Sequence, residues 1–424
     1  MAGQTDFPVK TSDFLAWFKA QSGTTFHTDI EIQDLRGKGA GRGIGAKSPW
    51  KPYLDVLPTA DQFGTPMFWT PEELSELQAS PVASKVGKEE AEDMIRSKIL
   101  PVVKEHEDVF YPSSSSSDSP KLSEEELVKL AFRMGSVIMA YAFDLEKDAD
   151  DEKKSKNGDE DDEDEDEWEE DHEGKTMLGM VPMADMLNAD AAFNAHIEHG
   201  EHALTATALR PIAKGEEILN YYGPLSNGEL LRRYGYTTLT HRRWNLVDLG
   251  WDLLLAGLMS ELPLKEQDWE KVIGMMEEDD ELEEGFAIDR GADDPDSEGR
   301  VNEVKQKAGV PEELLEQLKV VMKAVKKVKP DAVPDKTVRD KVIYSAIARA
   351  LEERAEQYGT TLEQDLELYA AESGNADRRR MALDVRIGEK VLLKQAIESV
   401  TVKLTELAES EKGGDKPSAK RRKV

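Results

Sequence analysis

From Asp159 to Asp171 every residue is acidic except Trp168. No packed core accepts such a run, because each carboxylate would lose its hydration with no cation to replace it. Residues 147–172 are therefore predicted to form a disordered insertion, and the fold must be assembled from the segments on either side. The run reads either as a solvated loop or as a lure for a basic partner. The whole chain shares its sign: 87 Asp and Glu face 55 Lys and Arg, a formal net charge of −32. That balance opposes contact with phosphate backbones, so direct nucleic-acid binding is not expected. It suits a basic protein partner, which the opposite field would draw in.

At 424 residues the chain exceeds one ordinary core, so two domains are expected. It has no cysteine, which excludes disulfides, thiolate zinc sites, iron–sulfur clusters and a cysteine nucleophile. No apolar run is long enough for a bilayer, and the first residues lack the basic and apolar regions of a secretory signal. A reducing compartment is expected.

The segment around Leu15, Trp17 and Phe18 reads as an N-terminal helix within residues 1–24. Alternating Ile30, Ile32 and Leu35 predict a strand entering a glycine turn. Residues 72–110 read as helical, and Ser123 with Glu126 forms a capping box ahead of another long helix, giving a helical region over about 70–145. Short alternating runs split by Gly, Asn and Pro over 176–236 predict small strands and tight turns. From about 250 onward the periodicity is helical, as in the Leu314, Leu315, Leu318, Val321, Met322 and Val325 face. The expected fold class is α+β: small β-sheets with an inserted helical region, then an all-α C-terminal domain over 245–410. Residues 411–424 form a basic tail. Its Lys420, Arg421, Arg422 and Lys423 read as a nuclear import signal that an import receptor would bind, or as a solvated tail.

Common catalytic sets are missing: there is no GxSxG and no HExxH. The glycines of GKGAGRGIG are not followed by a convincing helix, so a dinucleotide fold is not expected. On a strand, His196 and His202 would share a face while His199 points away, which argues against a three-ligand metal site.

Three stretches, AGRGI from Ala40, PMADMLNAD from Pro182 and GEEILNYYGPLSNGELLRRYGY from Gly215, together resemble the SET domain of protein-lysine methyltransferases. WKPYLDVLP, MFWTPEELSEL and RMALDVRIGEKVLLKQAI are similar to the branch containing Rubisco lysine methyltransferase, closest to fungal relatives that methylate ribosomal proteins. The resemblance implies a SET core over 25–240 with a helical insertion, followed by a helical substrate-binding domain. It implies transfer of a methyl group from S-adenosyl-L-methionine to a lysine of a basic protein, with a large-subunit ribosomal protein as substrate and a nuclear location that leaves the cytoplasm open.

By the same resemblance, Ala40, Gly41, Arg42, Gly43, Tyr141, Asn188, Ala189 and Tyr222 would contact the cofactor, with no metal. Tyr222 and Tyr234 would be catalytic, Trp69 and Tyr234 would meet the substrate lysine, Tyr221 would pack near the cofactor, and Asn194 would support the asparagine turn. Two positions depart from the family pattern. Ala189 stands where histidine is usual. Ala46 and Lys47 run almost directly into Trp50, where the family has further strands, so an open sheet edge and exposed apolar surface are expected. The alternatives are a non-catalytic SET-derived binding module and an acidic escort for a basic protein.

Overall fold

The computed structural model describes residues 7–21, 24, 50–111, 121–146, 176–200, 203–278, 283, 285–371 and 377–414. The acidic insertion, the glycine turn from Ala40 to Gly43 and Lys420 to Lys423 lie outside the described residues.

The N-terminal half is built from short helices. Helix α1 (Phe7–Ala20) packs on α2 (Lys51–Leu54). Then come α3 (Pro71–Ser75), α4 (Pro81–Ser84), α5 (Lys88–Met94), α6 (Leu100–Glu105), α7 (Glu107–Phe110) and α8 (Glu124–Tyr141). The stretch read as helical over 72–110 is a series of short helices, and the breaks have local causes. Pro71 and Pro81 sit in first turns, where a missing N–H costs nothing. Pro101 follows a π-turn over Ile95–Ile99; a wider turn relieves its clash with the preceding carbonyls. The capping box at α8 is formed as expected, with Glu126 N–H on Ser123 Oγ at 3.3 Å and Ser123 N–H on the Glu126 carboxylate at 2.8 Å.

Three two-stranded antiparallel ladders follow. Strand β1 (Ala142–Glu146) pairs with β2 (Thr176–Met180), Ala142 opposite Met180. Strand β3 (Ala195–Gly200) pairs with β4 (Ala203–Ala208). Helix α9 (Asn227–Tyr234) separates these from β5 (Val247–Gly250), which pairs with β6 (Gly285–Ile288). Among the described residues no sheet has a third strand. Leu178 on β2 and Ile138 on α8 are exposed.

The C-terminal half is helical: α10 (Trp251–Glu261), α11 (Glu266–Glu278), α12 (Glu312–Val328), α13 (Lys336–Glu356), α14 (Leu362–Ala371) and α15 (Arg378–Gly414). One feature corrects the all-α expectation. The β5–β6 ladder belongs to this half, with Val247, Leu249, Phe286 and Ile288 buried in its core. Each strand is four residues long, too short for alternation to stand out from a helical background. Helices α10 and α13 cross closely because Gly257 lies against Ala346; a Cβ there would meet the Ala346 carbonyl oxygen at 2.5 Å. Among the described residues no helix is long and apolar enough to cross a membrane.

Helix α15 joins the halves. Its Val400, Ala396, Leu393 and Leu392 enter the C-terminal core, while Val385, Ala382 and Met381 pack with Trp69, Leu77 and Leu231. Between these patches its polar residues reach into the N-terminal half. Arg386, 1% exposed, pairs twice with Asp365 at 3.0 Å and with Glu76 at 3.1 Å. Lys390 reaches the same Asp365 at 2.5 Å. Burial alone would raise the Asp365 carboxyl, but hydrogen bonds from Arg386, Lys390 and Thr360 outweigh it and hold it below its usual range. Glu389 receives Ser80 Oγ at 2.7 Å and the Tyr358 hydroxyl at 2.6 Å. Burial pushes Glu389 up to about 7.

Candidate active site

The site grows from a crossing of two chain segments. After β2 the chain turns through Met183, whose φ of 81° is unusual for a side-chain-bearing residue, and runs extended from Leu187 to Asp190. There Ala189 forms a parallel bridge with Asn220. Asn220 N–H donates to Asn188 O at 2.8 Å and Asp190 N–H to Asn220 O at 3.2 Å. Asn194, 1% exposed, holds the turn between them: its Nδ2 donates to Glu217 O at 2.8 Å, and its Oδ1 accepts Leu219 N–H at 2.9 Å. The expected support of the asparagine turn is this set of bonds. Asn188 is exposed and donates to the Glu217 carboxylate at 2.6 Å. Ala189 is buried.

Two residues past Asn220 comes Tyr222. Its hydroxyl donates to Leu187 O at 2.7 Å, and its ring stacks on that of Tyr234 with centroids 4.6 Å apart. Tyr234 is the last residue of α9, whose capping Gly235 has a left-handed φ of 78°. That turn brings Tyr236 back beside Tyr234, 6.5 Å between centroids, and aims its hydroxyl at Ala189 O, 3.0 Å away. Glycine is required twice over at 235: a Cβ would meet Thr65 N at 2.6 Å, because Gly64 passes against it.

Tyr141, at the end of α8, lies near Tyr222 and, with Met183 and Met186, packs against the buried cluster that holds Tyr53. Asp185 lies below. It accepts the Tyr53 hydroxyl at 2.5 Å through Oδ2, while Oδ1 has no hydrogen-bond partner among the described residues. Burial raises this carboxyl from its ordinary 3.8 to about 7, against the lowering pull of Tyr53 and the Met183 and Asp185 amides. Tyr141 is pushed up to about 12 by burial and then by the charge of Asp185. Burial, neighbouring tyrosines and Asp185 hold Tyr222 well above its ordinary value. At neutral pH these phenols are neutral hydroxyl groups, able to donate one proton each and accept through their lone pairs.

Of the residues singled out in the sequence, the structure brings together Tyr141, Ala189, Tyr222 and Tyr234. It leaves Trp69 in the core, 1% exposed, its indole N–H donating to Gly64 O at 2.7 Å. Trp69 thus has no open face toward a groove. Tyr221 turns to the opposite side of the extended segment from Tyr222, stacks on Phe193 at 4.8 Å and reaches Asp294 at 3.3 Å. Sequence reasoning missed Tyr53, Asp185 and Tyr236. The last two had a signal: Asp185 sits in the PMADMLNAD motif and Tyr236 two residues past Tyr234.

Comparison with known proteins places this arrangement. Residues 280–393 match the family model for Rubisco LSMT substrate-binding. Ribosomal lysine N-methyltransferase 4 of Saccharomyces cerevisiae is 34% identical over 192 residues, 45% of this chain and 35% of the relative. N-lysine methyltransferase setd6 of Danio rerio is 35% identical over 192 residues, 45% of this chain and 36% of the relative. The chain matches little more than a third of the length of these curated relatives. Among solved structures, the SET domain of LSMT bound to lysine and AdoHcy superposes with a TM-score of 0.56 at 15% identity, covering 98% of this chain and 97% of that one. Rubisco LSMT bound to sinefungin and monomethyllysine gives 0.51 at 20% identity, covering 89% and 77%. The fold is that of the LSMT SET proteins, with small sheets, a helical insertion and a helical C-terminal region, and the resemblance read from the sequence holds.

Proposed function

We propose that this chain is a protein-lysine N-methyltransferase that uses S-adenosyl-L-methionine, with Tyr222 and Tyr234 at the reacting centre. The observation that carries the reading is the stacked Tyr222–Tyr234 pair beside the Asn188–Ala189 crossing, with the Tyr222 phenol held well above its ordinary value. Methyl transfer needs a neutral amine aligned with the methyl and no strong acid or metal. The cluster fits that need. The groups facing Tyr222 include phenols and backbone carbonyls, and the buried carboxyl of Asp185 is driven toward the protonated form.

The cofactor supplies an electrophilic methyl group on a sulfonium. By resemblance Ala40, Gly41, Arg42 and Gly43 would hold it, with Asn188, Ala189 and Tyr141 completing the contact. Tyr222 has its proton committed to Leu187 O, so its lone pairs remain to accept from the incoming amine and fix that amine's direction. Burial around Tyr222 would disfavour a charged lysine there and so favour the free amine. The lysine ammonium would give up its proton to solvent before transfer, and the N–C bond would form as the methyl–sulfur bond breaks, leaving a methylated ammonium and a neutral thioether.

The substrate we propose is a lysine on a basic protein, specifically a large-subunit ribosomal protein. The similarity of residues 280–393 to a substrate-binding domain and the net charge of −32 support this. Import through Lys420, Arg421, Arg422 and Lys423 would place the protein in the nucleus. A second reading, a SET-derived binding module without turnover, is favoured by one observation: the short connection from Ala46 to Trp50.

Calorimetric titration with S-adenosylmethionine separates the readings. The enzyme binds it, keeps binding in Tyr222→Phe and weakens in Asn188→Ala. A folded wild-type chain that does not bind is the binding module.

A further inference from the structure

Behind the tyrosines lies a buried histidine that the mechanism above does not use. His241 has no solvent exposure and packs edge-on against Trp244. Its Nδ1 lies 2.8 Å from Thr238 Oγ1, which lies 2.9 Å from Thr240 Oγ1. Thr240 donates to Asp190 Oδ1 at 2.5 Å. That last bond fixes the direction of all the others. A carboxylate only accepts, so the Thr240 proton is spent on Asp190. The proton between the two threonines must then belong to Thr238. With that proton spent, Thr238 accepts from His241, both from its amide at 3.1 Å and from Nδ1. Nδ1 therefore carries the hydrogen, and Nε2 is a bare lone pair with no partner among the described residues.

The chain ends on the residue that anchors the crossing. Asp190 follows Ala189, whose carbonyl holds the Tyr236 hydroxyl, and its own N–H pairs with Asn220, two residues before Tyr222. Asp190 Oδ1 also accepts Ala192 N–H at 2.9 Å, closing the turn. We propose that His241, Thr238, Thr240 and Asp190 form a one-way hydrogen-bond chain that clamps the Asn188–Asp190 segment against Asn220. His241, in the Nδ1–H tautomer, is thereby a positioning residue for Tyr222 and Tyr236. Burial pushes His241 down to about 4, against the opposing charge of Asp190. The imidazole therefore stays neutral across the physiological range and the direction of the chain does not reverse.

The kinetic part of this inference rests on the methyltransferase reading; the structural part does not. Nitrogen NMR of the histidine-labelled full-length chain near neutral pH, with His241→Gln to assign the signal, reads the tautomer directly. The expected result is a neutral ring protonated on Nδ1. A ring protonated on Nε2, or on both nitrogens, overturns the chain. Hydrogen exchange then tests the clamp: Thr240→Val should speed exchange of the Asp190 and Asn220 amides about tenfold, and Thr240→Ser should stay within about twofold of wild type. Unchanged exchange in Thr240→Val overturns the clamp even if the tautomer is as expected. With methyl transfer as readout, Thr240→Val should lower kcat and Thr240→Ser restore it. A wild-type chain without turnover, but with the tautomer and exchange as stated, would sink the methyltransferase reading and leave the clamp standing.

Discussion

Tyr222, proposed at the reacting centre, and the buried Asp185 beneath it make different predictions, one for activity and one for stability. Removing the Tyr222 hydroxyl leaves the ring stacked on Tyr234 but takes away the group proposed to orient the amine. Tyr222→Phe should keep cofactor affinity within about twofold and lower single-turnover methyl transfer about a hundredfold. Asp185 bears on stability. Its carboxyl rises to about 7 in the fold from an ordinary 3.8, so the native state holds the proton more tightly than the unfolded chain. The stabilisation it brings is complete below 3.8 and fades as pH climbs toward 7. Asp185→Asn, which keeps an acceptor for Tyr53, removes that loss. Denaturant midpoints of wild type and variant should therefore diverge in the variant's favour as pH rises through this window, and parallel curves would contradict the assignment. The tyrosines were legible because they sit together in one short motif. Tyr53 was not: it meets Asp185 across 132 residues, and no local period or spacing encodes such a contact.

Among the elements, the left-handed turn at Gly235 does most to shape the site. It ends α9 after Tyr234 and returns Tyr236 to the same cluster, with Gly64 pressed against it. Gly235→Ala adds both a strained φ and a clash with backbone. It should lower stability by about 1–3 kcal/mol and shift the Tyr236 hydroxyl off Ala189 O, which thermal unfolding and amide exchange at Ala189 would register. Helix α8 was readable from the sequence because its capping box and apolar period agree, and α12 from its apolar period. The breaks over Lys88–Glu105 were not. The period runs on through Pro101, and a single widened turn absorbs the misfit without changing which side chains are apolar. The β5–β6 ladder was missed for a different reason. Its burial depends on helices far along the chain, so tertiary packing outweighs local preference.

Across the whole molecule, α15 holds the helical half to the half that carries the tyrosines, through charges buried at the joint. Asp365 pairs with both Arg386 and Lys390, and its loss would leave the buried Lys390 without this carboxylate and Arg386 with Glu76 alone. Asp365→Ala should cost about 3–5 kcal/mol, measured by urea denaturation, while an exposed pair such as Lys394–Glu363 should cost almost nothing. The acidic insertion, read either as a solvated loop or as a lure for a basic partner, can be tested at longer range. Deleting residues 147–172 should leave turnover intact at low salt and reduce the salt dependence of substrate capture; lost binding would favour the escort reading. The central claim is that the tyrosine cluster transfers methyl groups to a protein lysine. Incubating the full chain with S-adenosylmethionine and purified large-subunit ribosomal proteins, then reading lysine methylation by mass spectrometry, tests it most directly. The account predicts methylation of one defined lysine by the wild type and its near absence with Tyr222→Phe. Equal methylation by both chains would remove Tyr222 from the reacting centre, and none from a folded chain that binds the cofactor would overturn the proposed substrate.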